Sequence, residues 1–309
     1  MKKFIVVLYI IFDLATFGQQ KQVCFSIDDL PVVGYGIKDS TFQKVLFNKI
    51  VLSLQANNVP AIGFVNGKKI YGKNGIAQYQ VDLLCNWSES GLELGNHSFS
   101  HPDYNKVSFQ YYTNDILKGE IITKEILKEQ HKQIKYYRHP YLHVGNTKVK
   151  ADSLDAFLMR HNYVAAPVTI DNEDYLFASA YKRTKEKNDT AIINKIGHDY
   201  IVYMEKKLKY YEMQSNKLFG RNINQILLLH ASLLNSDYLV ALINLYKSHN
   251  YMFVSMDNAL KDPAYKTEIT VYGNWGISWI DKWALSAGER GDFFKEDPVT
   301  PDYIKKLAD

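Results

Sequence analysis

Short apolar runs punctuate the chain at 22–27, 61–65, 92–96, 135–138, 163–168, 226–230 and 251–254. Between most of them lie longer stretches whose apolar residues recur at helical spacing. Val45, Leu46, Ile50, Leu52 and Leu54 belong to one, and Ile116, Ile121, Ile122, Ile126 and Leu127 to another. Compact apolar runs alternating with helical segments predict parallel βα units, and seven such units are about what a closed or nearly closed barrel needs. The stretch 181–222 breaks this rhythm. It is rich in Lys, Tyr and Asn and reads as a helical insertion on the barrel, while 262–309 form an extension after the last unit.

The first eighteen residues follow a different pattern. Lys2 and Lys3 precede the apolar run Phe4–Phe12, and small residues follow up to Gly18. A basic start, an apolar run too short to span a bilayer and a small-residue exit describe a secretory signal peptide. The expected organisation is a signal peptide over 1–18, a catalytic domain over 19–261 that carries the insertion, and the extension. No later segment reaches the length of a membrane span, and export to a bacterial periplasm or exterior is the expected localisation.

Composition narrows the function classes. The 309 residues are 46% hydrophobic, with 37 basic against 33 acidic side chains. That is too apolar for a disordered chain and too balanced in charge to imply a nucleic-acid partner. The two cysteines, Cys24 and Cys85, are too few for a disulfide scaffold; two free thiols are expected, with a disulfide after export as the alternative. Twenty-three tyrosines are the unusual feature. Tyr181, Tyr200, Tyr203, Tyr210 and Tyr211 crowd the insertion, where packing is the first expectation and a sugar-facing wall the second. Trp275, Trp279 and Trp283 would form one stripe if their segment is helical, packing a terminal helix on the barrel.

Titratable residues recur where the apolar runs end. Asp28 and Asp29 follow the first, His97 and His101 the third, Arg138 and His139 the fourth, Asp171 and Asp174 the fifth, and His230 ends the sixth. In a βα barrel these ends gather on one face, where active sites form. Four residues apart, His97 and His101 would present both rings together on a helical turn. Two imidazoles with one carboxylate, from Asp28 or Asp29, suit a catalytic divalent metal, most often zinc. Neighbouring strand residues point opposite ways, so one aspartate is expected to bind metal and the other to serve as a base.

Five ordered elements resemble the motifs of the polysaccharide deacetylases, the family with the NodB homology domain, also called carbohydrate esterase family 4. They are Ser26-Ile27-Asp28-Asp29, His97-Ser98-Phe99-Ser100-His101, Arg138-His139-Pro140-Tyr141, Asp171-Asn172-Glu173-Asp174-Tyr175 and Leu228-Leu229-His230. The resemblance covers roughly residues 21 to 255 and implies an α/β fold, a distorted (β/α)7–8 barrel. It implies removal of acetyl groups from N-acetylated amino sugars or acetylated polysaccharide with one divalent ion, Zn2+ first and Co2+ or another ion second. Asp28 then resembles the base, and Asp29, His97 and His101 the metal ligands. Arg138 holds the base, the Tyr141 amide stabilises the oxyanion, His230 is the acid with Asp174 beside it, and Leu228 lines the pocket for the acetyl methyl group. The chain departs from the family in having Leu30-Pro31 after the Asp pair, His139 in the third motif, and Tyr175 in place of the usual Trp as a pocket wall. Two alternatives stand beside this reading: hydrolysis of another C–N amide bond, as in deformylases and cyclic amidases, and a non-catalytic glycan-binding module.

Overall fold

The structure, a computed structural model, describes residues 20–309, so the expected signal peptide lies outside the described residues. Its strands are β1 Lys21–Val33, β2 Ile62–Val65, β3 Tyr71–Gly72, β4 Gly75–Ile76, β5 Glu93–Asn96, β6 Tyr136–Tyr137, β7 Val164–Ala165, β8 Gln225–Ser232 and β9 Tyr251–Phe253. All seven apolar runs therefore contain a strand; β3 and β4 form a small separate hairpin. The main sheet runs β7-β6-β5-β2-β1-β8, with β9 on β1, and every pairing is parallel.

The sheet curls until its two edges meet. Past β7, the Ala166 amide donates to Tyr137 O in β6, and the amides of Thr169 and Ile170 donate to Ile226 O in β8. The segment 164–170 thus crosses from one edge strand to the other, giving the distorted barrel expected from the alternation. This crossing also explains why 163–168 yields only two residues of regular strand: the chain leaves one ladder to join another. Val23 to Ile27 are buried without alternation, as befits a strand covered on both faces.

Helices pack around the sheet, but their apolar residues do not all face inward. In Ser40–Ala56, Leu46, Ile50 and Leu54 are buried while Val45 and Leu52 face solvent; Asp39 caps this helix by accepting from the amides of Thr41 and Phe42. The second periodic stretch divides into helices Phe109–Gly119 and Ile121–Glu129, with Ile121 exposed and Ile116, Ile122, Ile126 and Leu127 buried.

The segment expected as an insertion is helical, in Asp174–Glu186 and Thr190–Phe219. Its five tyrosines are all buried, so they pack, as expected first, and do not form a sugar-facing wall. The C-terminal expectation needs correction. Ser278 caps a helix that starts only at Trp279, so Trp279 and Trp283 are buried on it while Trp275 precedes it and is exposed. No three-residue stripe forms. Cys24 and Cys85 are both free thiols, with Cys24 fully buried in β1.

One glycine ties this framework to the candidate site. A Cβ on Gly119 would lie 2.4 Å from the Ser98 carbonyl carbon and 2.6 Å from the Phe99 amide nitrogen. Backbone cannot yield there as a flexible side chain would. Gly119→Ala is therefore expected to destabilise the fold by about 1–3 kcal/mol in chemical denaturation, through overpacking against the His97–His101 loop.

Candidate active site

Parallel pairing brings the chemistry to one end of the sheet. In the β1–β8 ladder Asp28 and His230 are direct partners, so the expected base and acid stand side by side. At Asp29 the backbone turns left-handed, φ 65°, and the ladder register shifts beyond Asp28. That turn separates the two carboxylates. Asp28 is buried near Arg138 and Asp29 reaches the two histidines.

Arg138 is fully buried, with Nη1 3.5 Å from Asp28 Oδ2 and Nη2 donating to Ser26 Oγ at 2.9 Å. Its guanidinium lies 4.6 Å from the centre of the Phe64 ring. Burial pushes the Asp28 carboxyl above its usual range, and Arg138 opposes that rise without cancelling it. Asp29 goes the other way. Burial works against its charge, yet the Lys69 ammonium and both imidazoles hold it well below the usual range.

His97 and His101 converge, but not on a helical turn. Ser98 and His101 are both left-handed, at φ 65° and 56°. The loop is held by side chains: Asn96 Oδ1 accepts from the Ser98 amide, and Asp115 accepts from the amides of Phe99 and Ser100 and from Ser100 Oγ. The rings end up perpendicular with centres 4.8 Å apart. Burial pushes both down to about 4, so they are neutral near pH 7 and have a lone pair to give. His97 Nδ1 donates to Arg138 O at 2.8 Å, which leaves Nε2 as the ligand atom.

The donor atoms of Asp29, His97 and His101 all lie within 4.8 Å of one another. Beside them Asp28 Oδ1 is buried with no hydrogen-bond partner among the described residues. One carboxylate, two neutral imidazoles and an unsatisfied acceptor fit a divalent cation.

The acid side is bound as tightly. His230 Nδ1 donates to Asp174 Oδ1 at 2.6 Å, and the His230 amide donates to Oδ2 at 2.9 Å. Burial favours a neutral ring, but the Asp174 carboxylate outweighs it, and His230 is pushed up to about 9. It therefore carries a proton at neutral pH.

These groups open on a cavity of about 700 Å³ that also includes Tyr141, Tyr175 and Leu228. Tyr141 is left-handed, φ 56°, with its ring edge-on to His101 at 4.5 Å. The Tyr175 ring stands 6.4 Å from that of His230. His139, the departure in the third motif, is buried and held down to about 3, so it is neutral. All ten residues expected from the sequence are thus brought to one site.

Sequence reasoning missed the residues that orient them. Lys69 Nζ donates to the backbone oxygens of Asp29 and Val32 and lies 3.4 Å from Asp29 Oδ2, while Asn66 Nδ2 donates to Asp29 Oδ1. Both follow β2, whose end carries an amide and a lysine rather than the carboxylates and histidines that mark the other strand ends. Lys207 and Asp297 form an ion pair on the cavity wall, joining the helix Thr190–Phe219 to the C-terminal extension. No sequence pattern signals that pair.

A family model described as polysaccharide deacetylase matches residues 18–156, a stretch that holds Asp28, Asp29, His97, His101 and Arg138. The family resemblance is borne out by this match, which holds the first three of the five motifs. Among curated proteins, the peptidoglycan-N-acetylglucosamine deacetylase of Bacillus cereus is 26% identical over 152 residues, 49% of this chain and 46% of that protein. The chain thus spans about half the length of the curated relative it matches. Two solved structures share the fold at a TM-score of 0.50. One is a mutant CE4 family pseudoenzyme with restored enzymatic activity, 15% identical over 78% of this chain and 68% of that one. The other is a peptidoglycan N-acetylglucosamine deacetylase, 20% identical over 78% of this chain and 88% of that one. Since this fold also houses a pseudoenzyme, the site residues carry the functional argument.

Two measurements check these electrostatics. In the metal-free protein, an NMR titration is expected to show His230 losing its proton as pH rises through about 9. Asp174→Asn is expected to bring that midpoint down to the ordinary histidine range of about 6.5 or below. Lys69→Met removes a cation next to Asp29 and is expected to tighten divalent-ion binding in chelator competition; weaker binding would show that Lys69 acts by orienting the carboxylate.

Proposed function

We propose that the protein is a metal-dependent hydrolase that removes acetyl groups from N-acetylated amino sugars of a glycan. The observation that carries this reading is the direct pairing of Asp28 with His230 across β1 and β8, beside the Asp29, His97 and His101 donor set. A proton acceptor, a proton donor and an electrophile site then share one cavity. The names of the relatives add support for a glycan substrate of the cell-wall type. The signal-like residues 1–18 support export, and among the described residues no helix is long and apolar enough to cross a membrane.

Amide hydrolysis needs three things: a stronger nucleophile than water, stabilisation of a developing oxyanion, and a proton for the departing nitrogen. Asp29, His97 and His101 would hold a divalent ion, zinc the first choice, which when bound would supply Lewis-acid polarisation of the acetyl carbonyl and a lower pKa for water. Asp28 takes the proton from the attacking water, and Arg138 holds that carboxylate in place. The Tyr141 amide, at the cavity rim, supports the oxyanion, a contribution worth about 3 kcal/mol for one well-placed donor. His230 enters charged and gives its proton to the amine nitrogen, which could not leave as an anion. Asp174 stays paired with the ring throughout. Leu228 and Tyr175 wall the cavity, and Leu228 receives the acetyl methyl group.

Acetate release from chitooligosaccharides, peptidoglycan fragments and acetylxylan tests this. Release from the N-acetylated glycans is expected. Asp28→Asn is expected to abolish turnover, a loss of at least about a hundredfold, while the bound metal measured by elemental analysis stays the same. A purified protein that binds no divalent ion and is not activated by Zn2+ or Co2+ would instead be a glycan-binding module.

A further inference from the structure

Behind the acid lies a second layer of hydrogen bonds that the proposed reaction does not by itself require. Asn235 sits in the first turn of the helix Leu233–Ser248 and is 1% exposed. Its Nδ2 donates to Asp174 Oδ2 at 2.8 Å and to His230 O at 2.8 Å. Its Oδ1 accepts from the Tyr200 hydroxyl at 2.6 Å. Tyr200 is fully buried and belongs to the helix Thr190–Phe219, outside the five motifs.

The direction of this chain is forced. A carboxylate and a backbone carbonyl only accept, so the amide nitrogen must face Asp174 and His230. The amide oxygen then faces Tyr200, whose hydroxyl must donate. Asp174 in turn receives the His230 amide, His230 Nδ1 and Asn235 Nδ2, so its carboxylate is pinned from three sides. A pinned carboxylate fixes the imidazole ring, because Nδ1–H has one acceptor and Nε2 is the nitrogen left for the cavity.

We propose that Asn235 and Tyr200 are positioning residues for the His230 acid, and that the helix Thr190–Phe219 serves the reaction by delivering the Tyr200 hydroxyl. This rests on the deacetylase reading, since it assigns to His230 the role of proton donor. The two residues touch neither substrate nor metal donors; they act through Asp174. Removing either loosens the ring without altering the cavity, so the loss belongs in kcat and not in KM.

The test uses the full chain and two readouts. In proton NMR of the wild type, the His230 Nδ1–H is expected as a resolved downfield resonance, given its 2.6 Å bond to a carboxylate. Asn235→Ala is expected to broaden or shift it and to lower kcat about tenfold with KM unchanged. Tyr200→Phe, which keeps the ring and its packing, is expected to move the same resonance and to lower kcat about fivefold. Should Asn235→Ala fail to fold, Tyr200→Phe decides alone. A folded variant whose His230 resonance and kcat both match the wild type overturns the proposal, as does a fall in kcat with the resonance unmoved. The resonance is read without substrate. A wild type that releases no acetate would therefore sink the deacetylase reading while leaving the relay itself measured.

Discussion

The ladder between β1 and β8 is the constraint on which the rest depends. Its parallel hydrogen bonds run from Val23–Gln225 to Asp28–His230, and they fix how far each strand extends before its chain turns away. A shift of one residue would move every side chain of a strand to the opposite face. The two acid–base groups would then point to opposite sides of the sheet. Because β1 is buried on both faces, slippage would also move Phe25 and Ile27 out of the apolar cluster they share with Leu229 and into the opposite face, where Cys24 packs, so the packing of the barrel and the geometry of the site rest on one register.

Around that register the molecule places charge where burial opposes it and then compensates each charge differently. Burial raises the proton affinity of Asp28, and the fully buried Arg138 beside it opposes that rise without cancelling it. Asp174 is equally buried but has three donors, and its charge is used to keep His230 protonated. Asp29 has Lys69, Asn66 and the two imidazoles, and its carboxyl is held well below the usual range. Three residues of one type are thus given three different electrostatic settings by their surroundings alone. The neutral state of His97 and His101 follows from the same rule, since burial there outweighs the pull of the neighbouring aspartates on the proton.

Much of this was legible in the chain. The apolar runs locate the strands because a strand covered on both faces must be nearly all apolar, and the polar residues that follow them locate the site because strand ends share one face. Local spacing was a poorer guide. His97 and His101 were expected on a helical turn and instead meet across a loop held by Asn96 and by Asp115, which lies 16 and 15 residues beyond its partners Phe99 and Ser100. Trp275 was expected on the helix of Trp279 and Trp283, but the Ser278 cap starts that helix after it. Both misses arise where a side-chain hydrogen bond overrides periodicity. The tyrosines divide in the same way: Tyr141 and Tyr175 reach the cavity, while the five in the insertion are consumed by the core, where Tyr200 also serves the acid through Asn235.

By itself the sequence determined which residues were candidates for chemistry and that they would lie at one end of a parallel sheet. Those facts depend on residue type and on the periodicity of burial, both of which are local. The tertiary structure alone decided which aspartate meets which partner, which nitrogen of each histidine is free, and that Lys69, Asn66, Asn235 and Tyr200 belong to the site. Such facts depend on distances between segments remote in the chain, as with Tyr200 and Asn235 or Arg138 and Asp28. No periodicity records them, because a hydrogen bond is set by angstroms in space and not by spacing along the backbone.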